Sequence, residues 1–132
     1  MEEILRYESP VQNLARVVLE DFELAGQVIK AGDKVVPFLN AANRDAKVFP
    51  EPDNFDIERQ HNRHLAFGFG KHLCVGAHLA RLEARLTFNA FVKYLSQTNQ
   101  NYEAEAKWAK VVAFRQMESL IIRPLKCCHT GK

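Results

Sequence analysis

The chain has 132 residues, 47% of them hydrophobic and nine of them Phe, enough for one domain with its own core. Its 18 basic and 16 acidic residues are interleaved and leave a formal charge of +2, so no electrostatic stripe marks it for nucleic acid or an anionic membrane surface. No apolar run reaches the roughly 18 residues of a membrane span, Met1 to Arg6 lacks the pattern of a secretory leader, and three cysteines form neither a disulfide framework nor paired zinc-binding units; a soluble protein of a reducing, cytoplasmic compartment is expected.

In chain order, residues 2–8 read as the end of a helix that stops before Ser9-Pro10, because the residue preceding a proline is biased away from helical angles. The run begins at once with Ile4 and Leu5 and no obvious cap, as if the start cut through a larger fold. Residues 14–19, 27–29 and 34–38, rich in Val and Ile, predict three short strands separated by turns at 21–26 and 31–33, that is, a small antiparallel meander. Residues 40–64 read as a long irregular segment, with Phe49 and Phe55 as the side chains that pin it to a core; a loop of that length in a compact domain usually signals function.

Residues 77–97 give the clearest helix. Leu79, Leu82, Leu86 and Ala90 form one stripe, which Phe88, Phe91, Val92 and Leu95 broaden, so burial over much of its surface is expected. After a polar break at 96–101, residues 111–114 and 120–122 predict two more strands, and residues 126–132 a frayed tail.

The chemistry concentrates in Phe67-Gly68-Phe69-Gly70-Lys71-His72-Leu73-Cys74-Val75-Gly76, a glycine-rich loop that delivers a cysteine to the start of that helix. A cysteine there faces unpaired N–H groups and the positive end of the helix dipole, which suit a thiolate, the form that binds metal. Gly70 and Gly76 allow close backbone approach to a flat ligand or a positive φ, loop amides can tune a sulfur by hydrogen bonds, and Phe67 can shield it from water. On composition alone, a buried structural cysteine between turn glycines remains the simpler reading.

The spacing F-x-x-G-x-H-x-C-x-G, followed by Ala77-His78-Leu79-Ala80-Arg81-Leu82-Glu83, resembles the haem-binding loop and following helix of bacterial cytochromes P450. Glu3-Ile4-Leu5-Arg6 resembles the family's E-x-x-R helix, and Asn43-Arg44-Asp45, Phe49-Pro50 and Phe55-Asp56 resemble its meander. The order and separations match from residue 1 to about 125. The resemblance implies an α+β fragment of a mainly helical fold, the C-terminal portion of a P450 domain.

It also implies roles. Cys74 would be the axial thiolate on the iron of a non-covalent haem b, His72 and Arg16 would meet haem propionates, and Phe67, Gly68, Gly70 and Gly76 would shape the loop. Without the resemblance, Arg16 reads as a solvated strand charge and His72 as an ordinary loop histidine. Glu3 and Arg6 read as a surface pair of i, i+3 spacing, whereas the resemblance makes them buried structural partners that engage a second arginine. Asn54 stands where that arginine often falls, and Arg59 is the candidate replacement. His64 is expected to pack near Leu65-Ala66-Phe67 rather than to bind iron, and Cys127-Cys128-His129 are assigned no role.

The implied function is that of a haem-thiolate monooxygenase, with a small organic substrate and a ferredoxin- or flavodoxin-type electron donor, for which Lys71, Arg81 and Arg85 offer positive charge. Peroxide-driven oxidation is a variant of the same chemistry. The family's oxygen-handling helix, with its acid and threonine, has no counterpart in this sequence. A truncated, inactive haem-binding or interaction module, prone to association through exposed apolar surface, is the alternative.

Overall fold

The computed structural model describes residues 1–98 and 101–125; the tail at 126–132, with Cys127, Cys128 and His129, lies outside the described residues. Internal contacts divide the chain into two compact units. One is Glu2–Cys74 with Val111–Arg115, and the other is Met1 with Val75–Lys110 and the described part of Gln116–Lys132.

The first unit opens with helix α1, Glu2–Tyr7, as the sequence predicts. Its end is closed by the Glu8 amide on the Ile4 carbonyl (2.8 Å) and the Ser9 hydroxyl on the Leu5 carbonyl (2.9 Å), which satisfy carbonyls the helix leaves open. The predicted three-strand meander is instead two separate ladders. Strand β1, Arg16–Val17, pairs antiparallel with β4, Lys34–Val35, while β2, Phe22–Leu24, pairs with β3, Gln27–Ile29. Residues 21–26 read as a turn because of Asp21 and Gly26, yet the turn needs only Ala25 (φ 50°) and Gly26 (φ 80°), the two positive-φ residues of a tight hairpin. Asp21 ties the outer end of this hairpin, accepting from the Lys30 ammonium (2.7 Å) and the Ala31 amide (2.9 Å).

The segment at 40–64 is largely irregular, with a short helix α2, Leu39–Ala42, at its start that the sequence did not reveal. Of the two aromatic pins, only Phe49 is buried. Phe55 is half exposed and touches the unit through an edge-on contact with the Tyr7 ring, 5.4 Å between centroids. The apolar interior is small, formed by Val18, Phe49 and Ala66, and the largest fully buried side chains are Arg6, Asn43 and Ser9. This unit is organised around a polar network in which nearly every buried side-chain group is paired, Asn62 Oδ1 being the exception among the described residues.

Residues 111–114 form no strand. They dock along residues 10–13 through one isolated bridge, Val11 opposite Phe114, with the Gln12 amide on the Ala113 carbonyl and the Arg115 amide on the Pro10 carbonyl (both 2.8 Å).

The second unit contains α3, Ala77–Gln97, with the predicted boundaries, and a ladder of β5, Tyr102–Trp108, with β6, Met117–Pro124. The expected burial of α3 is not observed: Ala77 is its buried residue, whereas Leu79, Leu82, Leu86, Phe88, Phe91 and Val92 are exposed. A hydrophobic stripe says which face seeks a partner; it does not guarantee that the same chain supplies one. No helix among the described residues is long and apolar enough to cross a membrane. The α+β composition expected from the sequence is the one observed.

Candidate functional site

Two pieces of chemistry stand out in the first unit, a buried ionic knot on α1 and the cysteine loop. The knot is centred on Arg6, which is fully buried and uses all of its N–H donors. Its Nε and Nη2 grip the Glu3 carboxylate at 2.8 and 2.7 Å, and its remaining hydrogens reach the carbonyls of Asn43, Pro52 and Asn54 at 2.9, 2.8 and 3.2 Å. Glu3 and Arg6 are therefore an interior pair and not a surface one.

Glu3 collects further donors from the Asp56 amide (3.0 Å), Asn62 Nδ2 (2.9 Å) and Arg59 Nε, 3.3 Å from each carboxylate oxygen. Burial, the largest single effect, pushes the carboxyl up. The Arg6 and Asp56 hydrogen bonds, the Arg6 charge and the Arg59 hydrogen bond together overcome it and hold Glu3 at about 2. The Arg6 guanidinium is pushed up by its hydrogen bonds to Glu3 against the opposing effect of burial. Asn54 joins this knot through its backbone, lending its carbonyl to both Arg6 and Arg59.

The loop is built from backbone bonds rather than regular structure. Gly68 donates to the Leu65 carbonyl, Leu73 to Gly70 and Cys74 to Phe67 (2.8, 3.1 and 2.8 Å), with a single 3-10 turn at Gly70–His72. Gly68 has φ 75°, and a Cβ there would lie 3.1 Å from the His72 carbonyl oxygen; Gly70 has φ 64°. Gly76, which precedes α3, sits at φ −83°, so of the two uses expected of it the positive φ is not adopted.

Cys74 is a free, exposed thiol, so the simpler reading of a buried structural cysteine does not hold. It lines an apolar cleft of about 280 Å³ with Phe67, Gly68 and His72; the other walls are aliphatic and aromatic side chains, including Leu5, Val11, Leu14, Leu39 and Phe114. The donor set is a sulfur and an imidazole on an otherwise apolar surface. That fits a flat, largely apolar macrocycle with a metal at its centre and carboxylates on its edge. Of the predicted residues, Cys74, His72, Phe67 and Gly68 are brought together here, while Arg16, Gly70 and Gly76 do not line this cleft. Arg16 is exposed on β1, with Nη1 on its neighbour Ala15's carbonyl (2.9 Å).

Sequence reasoning missed Phe114 as a wall of the cleft. Its only signal is the apolar run at 111–114, which by residue type reads as a strand.

A loop held by positive-φ glycines presents a cysteine and a histidine to an apolar cleft, the arrangement of a protein built to hold a flat, metal-centred cofactor. The family model described as Cytochrome P450 matches residues 1–112, and the chain belongs to the cytochrome P450 family. It is 44% identical over 120 residues to the biotin biosynthesis cytochrome P450 of Bacillus subtilis, and 43% identical over 122 residues to the polyketide biosynthesis cytochrome P450 PksS of the same organism. Each match takes in 91% of this chain and 30% of the relative, so the chain spans under a third of the length of these relatives.

Among solved structures, it is similar to P450BioI in complex with an acyl carrier protein ligated to hexadec-9Z-enoic acid, with a TM-score of 0.84 and 43% identity over 92% of this chain and 31% of that one. It is likewise similar to CYP109E1 of Bacillus megaterium in complex with testosterone, with a TM-score of 0.85 and 42% identity over 92% of this chain and 34% of that one. The architecture is thus an α+β piece of the cytochrome P450 fold, and the family's cofactor is haem.

Proposed function

We propose that this chain is the haem-holding portion of a monooxygenase, binding the iron of a non-covalent haem b through Cys74. The observation that carries the reading is that Cys74, His72, Phe67 and Gly68 share one apolar cleft. Cys74 would supply the sulfur ligand of the iron. His72 donates to a propionate at the cleft, and Arg16, exposed on β1, is a second propionate donor. Phe67 and the aliphatic walls keep water from the sulfur side, Gly68 and Gly70 give the loop its shape, and Gly76 joins it to α3. The Glu3, Arg6 and Arg59 knot holds α1 against the segment that leads into the loop.

When bound, the haem supplies the activation of O₂, so that one oxygen atom enters a small organic substrate and the other is reduced to water. The electrons come from a ferredoxin- or flavodoxin-type donor, for which exposed Lys71 offers a positive charge beside the loop. A second reading is favoured by the exposed apolar face of α3, which a protein holding haem in a closed pocket would cover: a chain that serves as a haem-binding or interaction module without turnover. Titration with ferric haem, followed by Soret absorbance, tests the main proposal. Saturable binding that Cys74→Ala weakens supports ligation by Cys74; identical curves for the two proteins contradict it.

A further inference from the structure

We infer that Asn43 and His64 form a two-point clamp that positions the cysteine loop, and that His64 must carry its proton on Nε2 to do so. The purpose assigned to this clamp rests on the reading of Cys74 as the haem ligand; its geometry does not.

The orientation of Asn43 is fixed by its partners. It is fully buried, with Nδ2 2.8 Å from the Ser9 hydroxyl, and that hydroxyl gives its own hydrogen to the Leu5 carbonyl and must accept from Asn43. The opposite atom, Oδ1, takes the Leu65 amide at 2.7 Å, and an amide N–H can only donate. A flipped Asn43 would therefore face a donor with a donor.

His64 is constrained in the same way. Its side chain is only 2% exposed, and Nδ1 lies 3.2 Å from the Ala66 amide nitrogen, so this ring nitrogen must be the acceptor. Nε2 lies 3.0 Å from Oε2 of Glu2, a carboxylate that only accepts, so the hydrogen sits on Nε2. The consecutive amides of Leu65 and Ala66, in a segment with no regular structure, are thus each held by a side chain. One reaches from the end of α2, and the other is anchored to α1 through Glu2.

The clamped residues are the ones that carry the loop. The Leu65 carbonyl accepts from Gly68, and the Phe67 carbonyl, one residue beyond the clamp, accepts from Cys74, both at 2.8 Å. The backbone of Cys74 is therefore referred to α1 and α2 through two side chains and two backbone bonds. Neither Asn43 nor His64 lines the cleft. They act through the loop and are positioning residues.

The test uses the full chain with His64→Gln and His64→Asn. Glutamine keeps a donor at the Nε2 position for Glu2 but offers nothing to Ala66; asparagine keeps an acceptor at the Nδ1 position and loses Glu2. The expected result is that His64→Gln speeds amide hydrogen exchange at Ala66 and Cys74 by about ten-fold, the effect of one lost hydrogen bond, while His64→Asn, which keeps the Ala66 bond but loses the anchor to Glu2, speeds it by a smaller factor of about three-fold. With haem added, the share of the red-shifted, carbon-monoxide-bound Soret band should fall in both variants, further in His64→Gln than in His64→Asn.

Wild-type exchange at both amides in both variants would overturn the inference. If neither variant folds, ring ¹⁵N shifts of the wild-type chain decide: a protonated Nδ1 overturns the clamp, and an unprotonated Nδ1 supports it. Exchange is read without haem, so a wild-type chain that lacks the red-shifted band but shows the expected exchange pattern would sink the ligation reading alone.

Discussion

Arg59 Nε lies 3.3 Å from both oxygens of the Glu3 carboxylate that Arg6 already grips in bidentate fashion. The second arginine that the resemblance called for is therefore supplied five residues beyond Asn54. Arg59 also reaches the carbonyls of Pro50, Glu51 and Asn54 at 2.7, 3.2 and 3.1 Å, so it fastens the irregular segment to α1 as well as neutralising Glu3.

Removing Glu3 should be far more harmful than an ordinary i, i+3 surface pair would suggest. Glu3→Ala leaves the fully buried Arg6 charge without its counter-ion, and a loss of about 3–5 kcal/mol is expected, read from urea denaturation of the two proteins.

Arg59 and Asn54 should respond differently. Arg59→Ala removes a nearly buried guanidinium from Glu3 and three carbonyls and should cost about 1–3 kcal/mol. Asn54→Ala keeps the carbonyl that both arginines use and gives up one exposed side-chain bond to Glu51, so a change within about 0.5 kcal/mol is expected. The same denaturation series separates them.

Acid should loosen this unit through Glu3. Its folded value of about 2 lies below the ordinary 4.5, so below 4.5 the unfolded chain binds the proton more readily than the folded one. The stability contributed by Glu3 is fully present above 4.5 and is lost as pH falls toward 2. Glu3→Gln should be less stable than wild type at neutral pH, with the gap closing across that window.

Glycines of the loop should not be equivalent. Gly68→Ala meets both a positive φ and the His72 carbonyl, and should lower the thermal midpoint, with a cost of about 1–2 kcal/mol for the backbone conformation alone. Gly76→Ala, at φ −83°, carries no such backbone penalty. Thermal melts of both variants measure the difference.

The parts that were legible in the sequence were those with strong local signals. The period of the apolar stripe set the bounds of α3, Ser9-Pro10 set the end of α1, and the spacing around Cys74 picked out the loop. Strand β5 was missed because Glu103, Ala104, Glu105, Ala106 and Lys107 have weak strand preference, and the strand exists by pairing with β6. The run at 111–114 has strand-like residues but finds only one isolated bridge, Val11 with Phe114. The buried knot was least legible of all, because Arg59 meets Glu3 across 56 positions of chain and only the fold brings them together. Likewise, nothing local in the sequence announces that Phe114 and Leu5 face the same cleft as Cys74.

The most direct test of the central claim is the reduced, carbon-monoxide-bound absorption spectrum of the purified chain loaded with haem, recorded beside Cys74→Ala. A strongly red-shifted Soret band in the wild-type chain that vanishes in Cys74→Ala is the predicted result, since thiolate ligation would shift the band and loss of the sulfur would remove the shift. Free-haem-like spectra for both proteins, or a red-shifted band that survives loss of the sulfur, would contradict the assignment of Cys74 as the iron ligand.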